Sequence, residues 1–345
     1  MINKSIVPLL EEFFSKYLPD IKGLSENTIT AYQYAFQLLF GFLGDVKGVK
    51  PDKVTFETLS GGIIEEFLVH LETARGCSVR TRNLRRAAIV TFAKFAAKKS
   101  FSAALPFYSA IIGIPKKREP KDAGIKYFTK EEIGLLLKLP DTTSSIGQRD
   151  VTLLCVLYST GARAQELCDI MLKDVNLSTT IQPTKIRLTG KGNKSRVVII
   201  PDSCTAILNC YLRSRSLNTK DKSMQMRHLF SSQTNEHMSI SCVEGIVHKY
   251  VILAKERYPS LFCLSKYTPH SFRHAIAVHM LEAGDSLVTI KAFLGHTSIF
   301  STAIYARVTP ELANKYLDER GKPLQDVVYA NVPQSLPQAL PFLYR

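Results

Sequence analysis

No apolar run in the chain reaches the ~18 residues that a membrane-spanning helix needs, so no transmembrane anchor is expected. The opening stretch, "MINKSIVPLLEEFF", turns acidic before an apolar secretory core could form, so no export signal is expected either. No two of the seven cysteines (Cys77, Cys155, Cys168, Cys204, Cys210, Cys242 and Cys263) make a C-x-x-C pair, and their number is odd. They read as reduced thiols of a cytoplasmic protein, and structural zinc is not expected. The most informative absence is of negative charge. From Thr73 to Arg118 there is no acidic residue, while eleven are basic: Arg75, Arg80, Arg82, Arg85, Arg86, Lys94, Lys98, Lys99, Lys116, Lys117 and Arg118.

The whole chain shares that bias. Its 345 residues carry 45 Lys and Arg against 30 Asp and Glu, a formal charge of +15. Such an excess favours an anionic partner, with nucleic acid ahead of an anionic membrane surface. A hydrophobic content of 45% is enough for real cores, and the length suits two domains.

The first third reads as all-helical. "LSENTITAYQYAFQLLFGFLG" has Ser25 as its N-cap, an end near Gly44, and Ile29, Tyr32, Phe36, Leu39 and Phe40 at helical spacing. "IIEEFLVHLETA" and "RTRNLRRAAIVTFAKFAAKK" are two further helices. In the second of these, basic residues surround an apolar stripe of Leu84, Ala88, Phe92 and Phe95. One face would pack while the other lies on phosphates. The predicted division is a helical DNA-binding domain over residues 1–113, a basic Pro-rich linker over 114–124, a second domain over 125–321, and a tail over 322–345. Residues 114–124, "IPKKREPKDAG", carry no periodicity.

The second domain mixes element types. Thr129 and Glu132 make a capping box ahead of "GLLLKL". "VTLLCVLYSTGAR" is a buried helix ending near Gly161, and "KIRLTGKGNKSRVVIIP" alternates on both sides of a Gly-Asn turn, as a β-hairpin does. Helices are expected from Cys204 through Tyr316. The tail "VPQSLPQALPFLYR" repeats proline every fourth residue and excludes a regular helix.

Four separated stretches hold the polar groups that chemistry requires. "STGARAQELCDI" places Glu166 three residues after Arg163; "GKGNKS" carries Lys191 and Lys194; "TPHSFRHAIAVHML" sets His270 and Arg273 at i, i+3; "FLGHTSIFSTAIYARV" has Tyr305 nine residues after His296. The hairpin Gly-Lys is not a nucleotide-binding loop, because no Gly lies at the G-x-x-x-x-G-K-S spacing.

These stretches, in this order, resemble the catalytic domain of the tyrosine recombinase (phage integrase) superfamily, of Xer-like or transposon type. The likeness runs from about Ile125 to Glu319 through "TGAR", "TGKGNKSR", "HSFRH", "FLGH" and "YARV", and the N-terminal third is similar to that family's helical core-binding domain. "RHAIAVHM" stands where "RHTFATHL" is commoner. The fold implied is an α-helical N-terminal core-binding domain plus a mixed α/β catalytic domain, mainly α with a small antiparallel sheet, together enclosing a DNA duplex.

The resemblance also implies a reaction. Tyr305 would attack the scissile phosphate, giving a 3′-phosphotyrosyl enzyme and a free 5′-hydroxyl; a phenolate leaves more readily than an alkoxide, so the link is reversible. Arg163 and Arg273 would grip the non-bridging oxygens of the transition state. Lys191 would be the general acid for the 5′-oxygen, its pKa lowered beside two arginines. His270 would accept the Tyr305 proton or bond the phosphate, His296 would donate a second hydrogen bond, and Glu166 would orient an arginine. His274 and His279 read as structural. Lys194, with Arg80, Arg82, Arg85, Arg86, Lys116 and Lys117, would contact DNA backbone. Base contacts would come from the helices near Arg80 to Lys99 and Ser241 to Lys255. No metal or other cofactor is expected. The partners implied are double-stranded DNA carrying recombination sites, further protomers in a tetramer on two sites, and accessory DNA-binding proteins. Phe342, Leu343 and Tyr344 in the tail would anchor on a neighbouring protomer. Chromosome-dimer resolution, topoisomerase-like relaxation and binding without cleavage are the alternative functions on this fold.

Overall fold

Two compact units divide the chain, Met1–Asp122 and Ala123–Arg345. In the computed structural model the described residues are 5–119, 125–179, 181–190 and 192–307. Each unit has its own hydrophobic core.

The first unit is helical throughout: α1 (Val7–Glu12), a π-helical stretch over Phe13–Ile21, α2 (Glu26–Lys47), α3 (Gly61–Thr73), α4 (Val79–Lys99) and α5 (Phe101–Gly113). Serines start two of these helices. Ser60 Oγ accepts the Ile63 N–H and Ser78 Oγ accepts the Thr81 N–H, each satisfying a donor the helix leaves unpaired. α2 runs past the expected stop at Gly44 to Lys47, because the left-handed C-cap falls at Gly48 (φ 66°). Aromatic edges knit the core: Phe92 lies 5.3 Å from both Phe13 and Phe36, ring centre to ring centre. Ala88, Phe92 and Phe95 are buried as the stripe predicts, but Leu84 is 46% exposed. Asn83 takes the inward position there, donating its amide to the Lys117 carbonyl and accepting the Lys117 N–H.

The second unit opens with α6 (Lys130–Leu136), where the Thr129–Glu132 capping box forms as the sequence predicts. The other oxygen of the buried Glu132 accepts the Phe262 N–H and the Tyr267 hydroxyl, so one carboxylate ties the helix start to a distant loop. α7 (Ser145–Thr160) is the buried helix, ending at Gly161, and packs against two later helices, α9 (Asp202–Ser214) and α11 (Pro269–Glu282). The short α8 (Ala164–Cys168) follows, then an antiparallel sheet of β1 (Val175–Asn176), β2 (Lys185–Gly190) and β3 (Lys194–Ile199), in that order. β2 and β3 are the expected hairpin, in a register that pairs Ile186 with Val198 and Gly190 with Lys194. β1 is too short to leave a periodicity.

Helices then resume: α9 (Asp202–Ser214), α10 (Ile240–Arg257), α11 (Pro269–Glu282), α12 (Leu287–Leu294) and α13 (Phe300–Ala303), followed by a single 3-10 turn, Tyr305–Arg307. The helical run expected from Cys204 is therefore interrupted over 215–239 and 258–268. In the first gap Asn218 and Asp221 turn the chain by accepting backbone N–H groups two residues on. The fold class is the one the sequence implies, mainly helical with a small antiparallel sheet. Tyr316, the tail and its expected anchors Phe342, Leu343 and Tyr344 lie outside the described residues. Among the described residues no helix is long and apolar enough to cross a membrane. All seven cysteines are free thiols.

Candidate active site

The end of α7 sets up the first arginine. Gly161 adopts φ 57°, and a methyl there would come within 2.9 Å of the Leu294 side chain, so the turn requires glycine twice over. Two residues later Arg163 caps α8 in extended conformation. The Glu166 carboxylate folds back on it, accepting the Arg163 backbone N–H at 3.0 Å and its guanidinium Nη1 at 2.6 Å. From β3, Arg196 Nη2 donates to the same carboxylate at 2.9 Å. Gly190 leaves room for this: a methyl there would sit 2.7 Å from Glu166 Oε1.

Glu166 is 3% exposed. Burial alone would raise its pKa, but the hydrogen bonds from Arg196 and the Arg163 backbone, with the Arg196 charge, hold it at about 2. A carboxyl whose pKa is depressed on folding stabilises the fold above its unfolded pKa, and that contribution disappears as pH falls. Its loss is therefore expected between the ordinary value of 4.5 and about 2. Glu166→Gln leaves partly buried Arg196 without its counter-charge and should lower the unfolding free energy by about 3 kcal/mol at neutral pH. It should also remove this group's share of the acid-induced loss. Denaturant unfolding of both proteins across the acid range checks both; equal stability at neutral pH would contradict the role assigned to the carboxylate.

α11 supplies the second arginine and two histidines. The helix starts with Pro269 at its first position and a Thr268–Ser271 capping box. Arg273 is fully buried; Nη1 donates to the Gly161 carbonyl at 2.6 Å and Nη2 to the Leu294 carbonyl at 2.7 Å. Its Nε is buried with no hydrogen-bond partner. Burial first, then the Arg163 and Arg196 charges, push its pKa down to about 10. His270, one turn earlier, is exposed on one side, and burial of the other side followed by Arg273 and Arg163 lowers its pKa. His274 packs its ring against His270 at 4.4 Å between centres. Burial, then His270, Arg273 and His296, hold it at about 4.

The last stretch carries Tyr305, which is fully buried. Its ring is buried in a small cluster with Ala277, Val278, Ile290 and Leu294, while its hydroxyl lies 3.0 Å from His274 Nδ1. Burial raises its pKa, and the Arg273 and Arg163 charges pull against that. Gly295 ends α12 at φ 65°, directing the chain into His296, whose Nδ1 lies 2.9 Å from the buried Thr302 hydroxyl. Burial, then Arg273, Arg163, His270 and Arg196, lower the His296 pKa to about 4. All three histidines of the cluster are shifted towards their neutral forms.

The structure thus brings together Arg163, Glu166, His270, Arg273, His296 and Tyr305 from three separate segments, with Arg196 of β3 as a fourth. A cavity of about 460 Å³ opens on one side of the group, lined by Arg163, Glu166, Lys194, Arg196, His296 and Ser301 among others. Lys191 lies outside the described residues. Among the described residues no group of three or more His, Cys, Asp and Glu is placed to hold a metal ion.

The basic residues of the first unit are less free than their run of charge implies. Arg82 donates to the Pro115 carbonyl and pairs with Glu72, which also holds Lys117. Arg86 donates to the Ile114 carbonyl, and Arg85 donates to the Ala31 carbonyl while lying over the Tyr34 ring. These four side chains bind the segment after α5 and the N-terminal part of α2 to their neighbours. Arg80 and Lys116 are exposed. On this face Arg82, Arg85 and Arg86 thus donate to backbone carbonyls of their own unit.

Two residues of the cluster are not assigned to it by the sequence. Arg196 pairs across the sheet with buried Leu188 and shares the inward face of β3 with Val198. A charge at an inward position of an alternating strand was the available signal. His274, taken as structural, is one turn after His270 on α11, close enough to share its face.

Comparison with known proteins agrees with this geometry. The profile of the phage integrase family matches residues 126–311, and that of the phage integrase N-terminal SAM-like domain matches residues 10–100. The chain belongs to the phage integrase family of tyrosine recombinases. It is 32% identical over 311 residues to y4rC of Sinorhizobium fredii, named as an integrase/recombinase, covering 89% of each chain. It is 31% identical over 310 residues to the tyrosine recombinase XerD of Staphylococcus epidermidis, covering 89% of this chain and 96% of that one. The fold is similar to that of the Tn1549 transposon integrase solved with transposon right end DNA (TM-score 0.65, 16% identity, 90% of this chain and 98% of that one). It is also similar to that of the XerH recombinase solved with its difH substrate (TM-score 0.63, 18% identity, 87% and 80%).

Proposed function

We propose that this protein is a site-specific DNA recombinase that cleaves and rejoins strands through a phosphotyrosyl link at Tyr305. The observation that carries the proposal is a charge imbalance. Three guanidiniums, Arg163, Arg196 and Arg273, meet one carboxylate, Glu166, beside a buried phenol. Such a cluster is completed by an anion, and a phosphodiester is the anion a phenol can attack reversibly.

In the proposed step the Tyr305 hydroxyl gives its proton to neutral His270, its oxygen bonds to phosphorus, and the bond to the 5′-oxygen breaks. The leaving oxygen takes a proton from Lys191, and attack by a 5′-hydroxyl reverses the sequence. Arg163 and the unpaired Nε–H of Arg273 meet the charge on the non-bridging oxygens. Neutral His270 and His296 each have one N–H to donate to the same group. Because Tyr305 is buried, attack requires its segment to shift when DNA is bound. Arg80, Lys116 and Lys194 are proposed as backbone-phosphate contacts, with α4 and α10 as the readers of bases. Binding should therefore weaken steeply with salt.

Strand exchange would be carried out by a tetramer on two duplex sites, with accessory proteins where the site demands them. The names of the relatives divide between integrases and Xer recombinases. Movement of a mobile element by integration, excision or transposition is the programme proposed, with chromosome-dimer resolution as the alternative. The test is incubation in EDTA with nicked duplexes carrying the element ends. A denaturant-resistant protein–DNA adduct supports the reading. No adduct on a site the protein demonstrably binds would reduce it to a DNA reader, and relaxation of one supercoiled circle without exchange between duplexes would make it a topoisomerase-like enzyme.

A further inference from the structure

Tyr305 sits on weakly anchored chain. It opens a single 3-10 turn after the four-residue α13, and around it Phe300 is 82% exposed while Ile299 and Ile304 are each 38% exposed. A nucleophile on such a segment needs something stiffer to set the direction of its oxygen. α11 is the stiff element within reach: fourteen residues long, it packs on α7 and α12. From it, His274 puts Nδ1 3.0 Å from the Tyr305 hydroxyl.

The two histidines of α11 divide by position. His270 is exposed on one side, whereas His274 is half-buried and meets the phenol. Their rings stand edge to face at 4.4 Å, so each limits the other's rotation. The charged and titratable groups facing His274 are His270 and Arg273 on its own helix, His296 after α12, and Tyr305. Burial, with the Arg273 charge, keeps its imidazole neutral, and a neutral imidazole has one nitrogen that accepts. With Nδ1 as that acceptor, the phenol donates and the lone pairs of its oxygen turn away from the imidazole.

We propose that His274 is a positioning residue for the nucleophile: it accepts the Tyr305 hydroxyl hydrogen bond and aims the phenolic oxygen, leaving proton transfer and the phosphate to His270. The proposal rests on the reading of Tyr305 as nucleophile.

The test uses the full chain and single-turnover cleavage of duplexes with either an ordinary scissile phosphate or one with sulfur at the bridging 5′ position. The thiolate leaves without a general acid, so the sulfur substrate isolates the attack. His274→Ala should slow cleavage of both substrates by about 10²-fold, the scale of a misdirected reacting atom, with DNA affinity within about threefold of wild type. His274→Asn, whose amide oxygen can take the place of Nδ1, should recover about tenfold of that loss. Lys191→Ala should slow only the oxygen substrate.

Cleavage by His274→Ala within about threefold of wild type would overturn the proposal. So would rescue of His274→Ala by sulfur, which would place the histidine on the leaving group, and so would an Asn variant that folds normally yet cleaves no faster than Ala. If the Ala variant does not fold, the Asn variant decides alone: it should stay within about tenfold of wild type on both substrates, and a larger loss overturns the proposal. Tyr305→Phe is run alongside. An adduct that survives in Tyr305→Phe sinks the nucleophile assignment itself, a failure distinct from any result at His274.

Discussion

Tyr305→Phe is expected to eliminate covalent attachment to DNA, by more than about 10⁴-fold in cleavage rate, while leaving DNA binding unchanged. Phenylalanine keeps the ring among Ala277, Val278, Ile290 and Leu294, so the small core around it stays filled. The variant lacks only the oxygen that would bond to phosphorus and the hydrogen bond to His274 Nδ1. Losing one such hydrogen bond costs about 1 kcal/mol of stability, too little to unfold the domain. Binding and melting temperature should therefore follow wild type while the adduct disappears. A variant that binds its site and still forms adduct would move the nucleophile to another residue.

Arg273→Ala should fail on two counts that can be measured separately. The first is catalytic: removing one preorganised donor from developing oxyanion charge slows cleavage by about 10²–10³-fold. The second is structural. Arg273 Nη1 and Nη2 hold the carbonyls of Gly161 and Leu294, both next to glycine turns that shape the site. Leaving those two acceptors buried and unpaired costs about 1–3 kcal/mol each. Arg163→Ala makes the contrast. Its side chain is 43% exposed and is bonded to the Glu166 carboxylate, which Arg196 continues to hold. It should lose cleavage to a similar degree with little loss of stability. Arg273→Lys keeps the charge but cannot reach two carbonyls and a phosphate at once. It should remain far below wild type in rate. Single-turnover cleavage at saturating DNA, with denaturant unfolding of the same proteins, separates the two effects; Arg273→Ala with wild-type stability would contradict the anchoring role.

Much of the architecture could be read from the chain because it rests on local rules. Thr129 and Glu132 make their capping box, Gly161 ends α7, and the alternation around Gly192 and Asn193 gives the β2–β3 hairpin. Glu166, three residues after Arg163, accepts hydrogen bonds from both the backbone and the side chain of that arginine. What could not be read depends on tertiary competition for hydrogen bonds. Charge alone does not tell that Arg82, Arg85 and Arg86 meet backbone carbonyls of their own unit. Nor does sequence spacing tell which of two histidines one turn apart meets the tyrosine, since that depends on how α11 is rotated against the turn at Tyr305. The interruption over 215–239 was missed because a helical pattern was extended across Asn218 and Asp221, residues that favour turns.

The central claim is that Tyr305 becomes bonded to DNA, and mapping the adduct tests it most directly. Trypsin cuts after Lys291 and Arg307, so residues 292–307 leave as one peptide, "AFLGHTSIFSTAIYAR", in which Tyr305 is the single tyrosine. Adduct trapped on a nicked site, digested with nuclease and trypsin, should yield that peptide carrying a nucleotide, with fragmentation placing the added mass on Tyr305. Added mass on His296 within the same peptide, or on a peptide from elsewhere in the chain, would contradict the account.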